Sequence, residues 1–268
     1  DDINKTLGLE LKESEIKKLL EKMGISYENK KGKGIAHVPA YRADILHWID
    51  IAEEVAIAYG YDKFDPIIPD IATIGTEDTT SILKKTIGNI LAGLGIQEIS
   101  SYHLTTKKNI KKIYFDMPVE EYIEVEDSKT ERDTLRKDLV TNIIHTLKDN
   151  SDAQYPQKIG EIGTVFAKDS ACESGIKETQ KVAVALIDEH ISFTDIKQIL
   201  EYVTKMLNKT YTLEAYDEHP AYIKGRAAKI RIDNKDVGYI GEISPRVLKN
   251  FKIKAPVVAF EMDMDALQ

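Results

Sequence analysis

Cysteine is nearly missing from this chain of 268 residues: Cys172 stands alone. A single thiol excludes an intrachain disulfide framework and a multi-cysteine zinc site. It fits an incidental thiol in a reducing, cytoplasmic setting. Long apolar runs are missing as well, and no stretch approaches the roughly 20 residues of a membrane span. Positive net charge is absent. Lys and Arg number 37 against 45 Asp and Glu, a balance of −8 that argues against a phosphate-neutralising surface over the whole chain. The basic runs Lys30, Lys31, Lys33 and Lys107, Lys108, Lys111, Lys112 read as solvated turn or helix faces. The N-terminus has no basic stretch followed by an apolar one, so no signal peptide is visible. It begins at Asp1 rather than Met, which suggests a piece of a longer chain. There is no Gly-x-Ser-x-Gly elbow and no phosphate-binding P-loop, and the six His residues show no metal-ligand spacing.

What is present is enough apolar residue content to bury a sizeable core. Two blocks are legible. In the first, Ser14 is placed to cap a helix through Met23, with Ile16, Leu19 and Leu20 on one face and Gly24 at its end. A strand over Ile25–Glu28, a turn at Asn29–Gly34 and a strand over Ile35–Val38 follow. Asp44 then precedes a helix with Ile45, Ile49, Ala52, Ala56 and Tyr59 in one stripe, ending at Gly60. Helix, hairpin and helix together predict a winged-helix-like module over residues 1–68. Pro66 and Pro69 break regular structure at the boundary.

The second block, residues 69–268, alternates helices and strands. Helical stripes begin near Ile82, Leu139 and Thr194, the last as a cap. Strands are expected at Gln97–Leu104, Glu121–Val125, Lys158–Phe166, Val182–Ile187, Tyr211–Tyr216, Ala228–Ile232, Val237–Ile243 and Val257–Met262. Asp233–Asp236 is a hairpin turn, and Ser244-Pro245 opens a short helix. Hairpins join several strands, so the fold class is α+β, with a mostly antiparallel sheet and helices packed on it.

The sharpest chemical signal is acidic. Asp50, Glu53 and Glu54 stand at i, i+3 and i+4 of one helix, with Asp44 at its start. Clustered carboxylates need a cation or a basic partner, and Mg²⁺ takes oxygen ligands of this kind. The plainer account is that Asp44 caps the helix and the other acids suit the helix dipole. Spacing alone favours the plainer account.

The segment from Val38 to Tyr61 resembles the β subunit of phenylalanine–tRNA ligase. Pro39, Arg42, Asp44, Asp50, Glu53, Glu54, Val55, Ala56, Tyr59, Gly60 and Tyr61 occupy that family's pattern. The second block resembles the same subunit. Thr134–Leu139 and Glu161–Phe166 look like its version of class II motif 2, and Val237–Pro245 and Phe260–Asp263 look like its later segments. The resemblance implies a B5 module (1–68) and a catalytically inactive class II synthetase-like core (69–268). It implies Mg²⁺ at Asp44, Asp50, Glu53 and Glu54, shared with a catalytic α subunit that uses ATP. It also implies an α₂β₂ partner assembly, tRNA for phenylalanine as a further partner, no membrane, and a cytoplasmic location. Missing editing and anticodon-binding modules fit a C-terminal fragment of the archaeal or eukaryotic type.

Class II catalysis needs cations over the nucleotide phosphates. Arg136 stands in the motif 2 stretch, but an ion pair with Asp133 or Glu131 is the preferred role. No Gly-x-Gly-x-x-Arg run occurs near the C-terminus. Two other readings remain. One is a free winged-helix nucleic-acid-binding protein, which the acidic helix opposes because recognition helices present Arg, Lys or Asn. The other is a self-sufficient class II ligase, which the missing arginine opposes.

Overall fold

A computed structural model describes residues 2–116 and 118–268. The chain forms two compact units, residues 1–74 and 75–268. In the first, α1 (Asp2–Leu7) and α2 (Glu13–Lys22) precede a hairpin of β1 (Ser26–Lys30) and β2 (Lys33–His37), then α3 (Trp48–Tyr59). Ile16, Leu19 and Leu20 of α2 pack with Ile25 and with Val55 of α3 to form a small core. The hairpin turns on Lys31 and Gly32, at φ 54° and 81°, the two-residue geometry that matches strand twist. The helix starts differ from expectation. Ser14 lies inside α2; Lys12 is at the cap, and its N–H donates to Glu15 Oε2 at 2.7 Å. Asp44 does not cap α3. The helix starts after His47, so Ile45 lies outside it.

The second unit is built on one sheet. Its elements are α4 (Thr79–Gly93), β3 (Gln97–Glu98), β4 (Leu104–Thr105), α5 (Lys107–Lys111), β5 (Thr134–Leu135), α6 (Val140–Asp149), β6 (Gln157–Lys168), β7 (Ile176–Ile187), α7 (Phe193–Met206), β8 (Thr212–Ala215), β9 (Tyr222–Ile232), β10 (Lys235–Ile243), α8 (Pro245–Phe251) and β11 (Val257–Asp263). The strand order is β3-β6-β7-β11-β10-β9-β8. Every pairing is antiparallel except β3 with β6.

Both faces of this sheet are covered, which is why residues 182–187 of β7 and residues 257–262 of β11 read as nearly unbroken apolar runs. Side chains alternate faces along a strand. Ala183, Ala185, Val257 and Ala259 pack with Ile143 and Ile144 of α6 and Val247 and Phe251 of α8. Val182, Val184, Val258 and Phe260 pack with Ile87 and Leu91 of α4 and Leu200 and Val203 of α7.

Two expected strands are shorter than the sequence suggested. The run Gln97–Leu104 splits into β3 and β4, because Ser101 leaves the ladder to bond Glu161. In the run Glu121–Val125, Glu121 ends a 3₁₀ turn (Val119–Glu121) and Glu124 makes a single bridge to Thr134. Ser192, not Thr194, caps α7. The hairpin turn tightens to Asp233 and Asn234, both at positive φ.

Candidate functional site

In the first unit the acids gather around an arginine. Arg42 Nε and Nη2 donate to both Asp44 oxygens at 3.0 and 2.8 Å. Nη2 and Nη1 also donate to both Glu54 oxygens at 2.6 and 3.2 Å. The planar fork of a guanidinium suits two-oxygen contacts of this kind. Those hydrogen bonds hold the Asp44 carboxyl below its ordinary range and push Arg42 upward.

Asp50 is engaged elsewhere. Its Oδ2 accepts the backbone N–H groups of Leu46 and His47, both at 2.7 Å, and these bonds lower its pKa. It serves as the acid in the first turn that reaches back to the cap. Glu53 lines a separate shallow pocket with Thr6, Leu7, Ala56 and Tyr61.

The structure thus ties Asp44 and Glu54 to Arg42, while Asp50 bonds the start of α3 and Glu53 lines a pocket. Among the described residues no three His, Cys, Asp or Glu side chains are gathered so as to hold a metal ion. As a self-contained set, the four acids do not fit Mg²⁺, because Arg42 supplies the counter-charge to two of them.

The second unit holds a buried polar network that spacing did not reveal. Arg136 and Glu161 are both almost fully buried, with Nη1 to Oε1 at 2.5 Å. The partner is Glu161 rather than the expected Asp133 or Glu131. Arg136 Nε donates to Thr164 O at 2.8 Å, and Nη1 also donates to Ser101 Oγ at 3.0 Å. Glu161 accepts Ser101 N–H and O–H, and Asn142 Nδ2 donates to the same hydroxyl. Gly163 makes the arrangement possible, since a Cβ there would meet Arg136 Nη2.

A second buried group lies near the α6 N-terminus. Glu261 Oε2 accepts the N–H groups of Leu139 and Val140 at 2.8 and 3.0 Å. Its Oε1 pairs with Lys181 at 3.0 Å. Burial raises the Glu261 pKa. Burial also opposes the charge of Lys181, but Glu261 and Asp263 outweigh it and hold that ammonium above its ordinary range. Glu261 interrupts an otherwise apolar strand, which was the available signal.

Residues 1–61 match the tRNA synthetase B5 domain, and residues 65–264 match the phenylalanyl-tRNA synthetase beta chain CLM domain. The chain belongs to the phenylalanyl-tRNA synthetase β-chain family. It is 39% identical over 262 residues to the phenylalanine–tRNA ligase beta subunit of Pyrococcus abyssi, covering 97% of this chain and 47% of that one. It is also 39% identical to that of Pyrococcus horikoshii over 264 residues, with 98% and 47% covered. For Methanococcus maripaludis the figures are 36% over 270 residues, with 99% and 49% covered. The chain spans about half the length of the curated relatives it matches. Its fold resembles a pyrrolysyl tRNA synthetase from Desulfitobacterium hafniense, with a TM-score of 0.59 and 13% identity over 70% of this chain and 67% of that one. Within the family, then, this chain pairs a B5 domain with a CLM domain. Among the described residues no helix is long and apolar enough to cross a membrane.

Proposed function

We propose that this chain is part of a cytoplasmic phenylalanine–tRNA ligase β subunit that takes part in tRNA charging as a scaffold. In this reading the α subunit binds ATP, activates phenylalanine and charges the tRNA, within an α₂β₂ assembly. Residues 1–68 act as a B5 module of winged-helix-like type, and residues 69–268 as an inactive synthetase-like core. The observation that carries the reading is the burial of Arg136. The arginine in the stretch resembling motif 2 is buried and held through Nε and Nη1 by Thr164, Ser101 and Glu161, so it is not presented to a nucleotide phosphate.

The surface supports assembly. Tyr41, Leu46, Trp48 and Tyr61 are exposed on the first unit, and Ile82, Tyr202 and Met206 on helices of the second. Aromatic and Met side chains are enriched where proteins meet. The α3 helix carries Asp50, Glu53 and Glu54 with no Lys or Arg, which disfavours a nucleic-acid-reading role. For Mg²⁺, the proposal makes Asp44, Asp50, Glu53 and Glu54 one half of a site whose remaining ligands come from the α subunit. The chain alone is then expected to bind the ion weakly.

The test is co-purification. Tagged chain mixed with the α subunit should elute as a complex, and separate elution at micromolar concentration would overturn the scaffold reading.

A further inference from the structure

A pocket of about 260 Å³ opens beside the N-terminus of α6 in the second unit. Asp138 lies in its wall and is 6% exposed. Its Oδ1 accepts Thr141 N–H at 2.6 Å, its buried Oδ2 has no partner within normal hydrogen-bond distance among the described residues, and the nearby Tyr114 hydroxyl feels the charge of this carboxylate. Buried carboxylate oxygens are normally satisfied, and leaving one unmatched is costly. A single water could meet the need, yet the space far exceeds the roughly 30 Å³ that a water occupies.

The rest of the wall says what the occupant should be. The rings of Tyr114, His219, Tyr222 and Tyr239 line it. His219 lies 4.9 Å from Tyr222 and 4.6 Å from Tyr239 between ring centroids, so these aromatics form one continuous surface. Aromatic faces favour a cation. The charge balance points the same way. Glu261 is a second buried carboxylate on the pocket, and the ammonium of Lys181 is already held by Glu261 at 3.0 Å and Asp263 at 3.4 Å. Lys137 at the rim engages Glu121 and the Tyr114 ring.

We propose that this pocket binds a small organic amine as its primary ammonium ion. One N–H donates to Asp138 Oδ2, and the carbon body rests on the tyrosine and histidine rings. Glu261 disfavours a ligand that carries its own carboxylate, so the class is a simple alkylamine rather than an amino acid. A quaternary ammonium lacks the N–H that Oδ2 needs.

Calorimetry on the whole chain with n-butylammonium chloride tests this. Saturable binding is expected, with tetramethylammonium weaker by about tenfold or more, the size of one charged hydrogen bond, and the zwitterion norvaline weaker because its carboxylate meets that of Glu261. Asp138→Asn keeps an acceptor for Thr141 N–H and replaces the free oxygen by a donor, so it should weaken butylammonium by a similar factor. A crystal of the wild-type chain soaked with the amine gives a readout that needs no variant. Density for the ammonium within hydrogen-bond distance of Asp138 supports the proposal. Water alone in the pocket, no saturable binding, or equal binding by a folded Asp138→Asn chain overturns it.

Discussion

At the scale of single residues, buried charge decides what can be removed. Arg136→Ala removes the counter-charge of the buried Glu161 carboxyl, which costs about 3–5 kcal/mol for pairs of this kind. Urea denaturation followed by circular dichroism should show a loss of that order, whereas exposed pairs such as Lys85 with Glu77 should cost under about 1 kcal/mol. His219 gives a pH signature. Burial pushes its pKa down to about 4, with Lys137 and Lys181 adding to the effect and Asp138 opposing it. Its Nδ1 accepts Ala221 N–H at 3.2 Å, so the neutral ring carries its proton on Nε2. The unfolded chain, with an ordinary histidine, binds more protons than the folded one between pH 6.5 and 4. Stability therefore falls as pH drops through that window, by up to about 3 kcal/mol from this group. His219→Asn should flatten that part of the stability–pH curve, and an unchanged slope would contradict the assignment. In the first unit, Arg42→Gln frees Asp44 and Glu54. It should raise the affinity of the isolated chain for Mg²⁺ if those acids belong to a cation half-site, and titration calorimetry reads this directly.

At the scale of elements, the recurrent device is an acid in the first turn of a helix reaching back to the cap residue. Glu15 bonds Lys12 N–H, Asp50 bonds His47 N–H, and Asp195 bonds Ser192 N–H. This explains why the helices themselves were legible from their apolar stripes while their starts were not. Ser14, Asp44 and Thr194 have cap chemistry, but the chain bends two or more residues from each of them, where an acid can close the turn. The long strands were legible because alternation and apolar runs survive burial on both faces. The segment after Glu98 was not, because side-chain bonds from Ser101 replace the ladder there, and no local pattern announces a partner 60 residues away. The start of α6 depends on a longer reach, with Glu261 accepting two of its N–H groups from β11. Glu261→Ala should cost about 3 kcal/mol. Faster hydrogen exchange at Leu139 and Val140, with little change in α7, would locate the loss at that helix end.

At the scale of the whole molecule, the second unit is a sheet covered on both faces, and its fold resembles that of a pyrrolysyl tRNA synthetase. The sequence pattern was enough to find two blocks and the acids of α3. It did not show that Arg42 would bind two of those acids, or that Arg136 would pair with Glu161, because both pairings are set by tertiary approach rather than spacing. The proposed account is that catalysis belongs to a partner while this chain supplies structure. Phenylalanine-dependent ATP–pyrophosphate exchange tests that account most directly. No exchange above background is predicted for the chain alone, with activity appearing once the α subunit and the rest of the β subunit are added. Exchange by the isolated chain would contradict it.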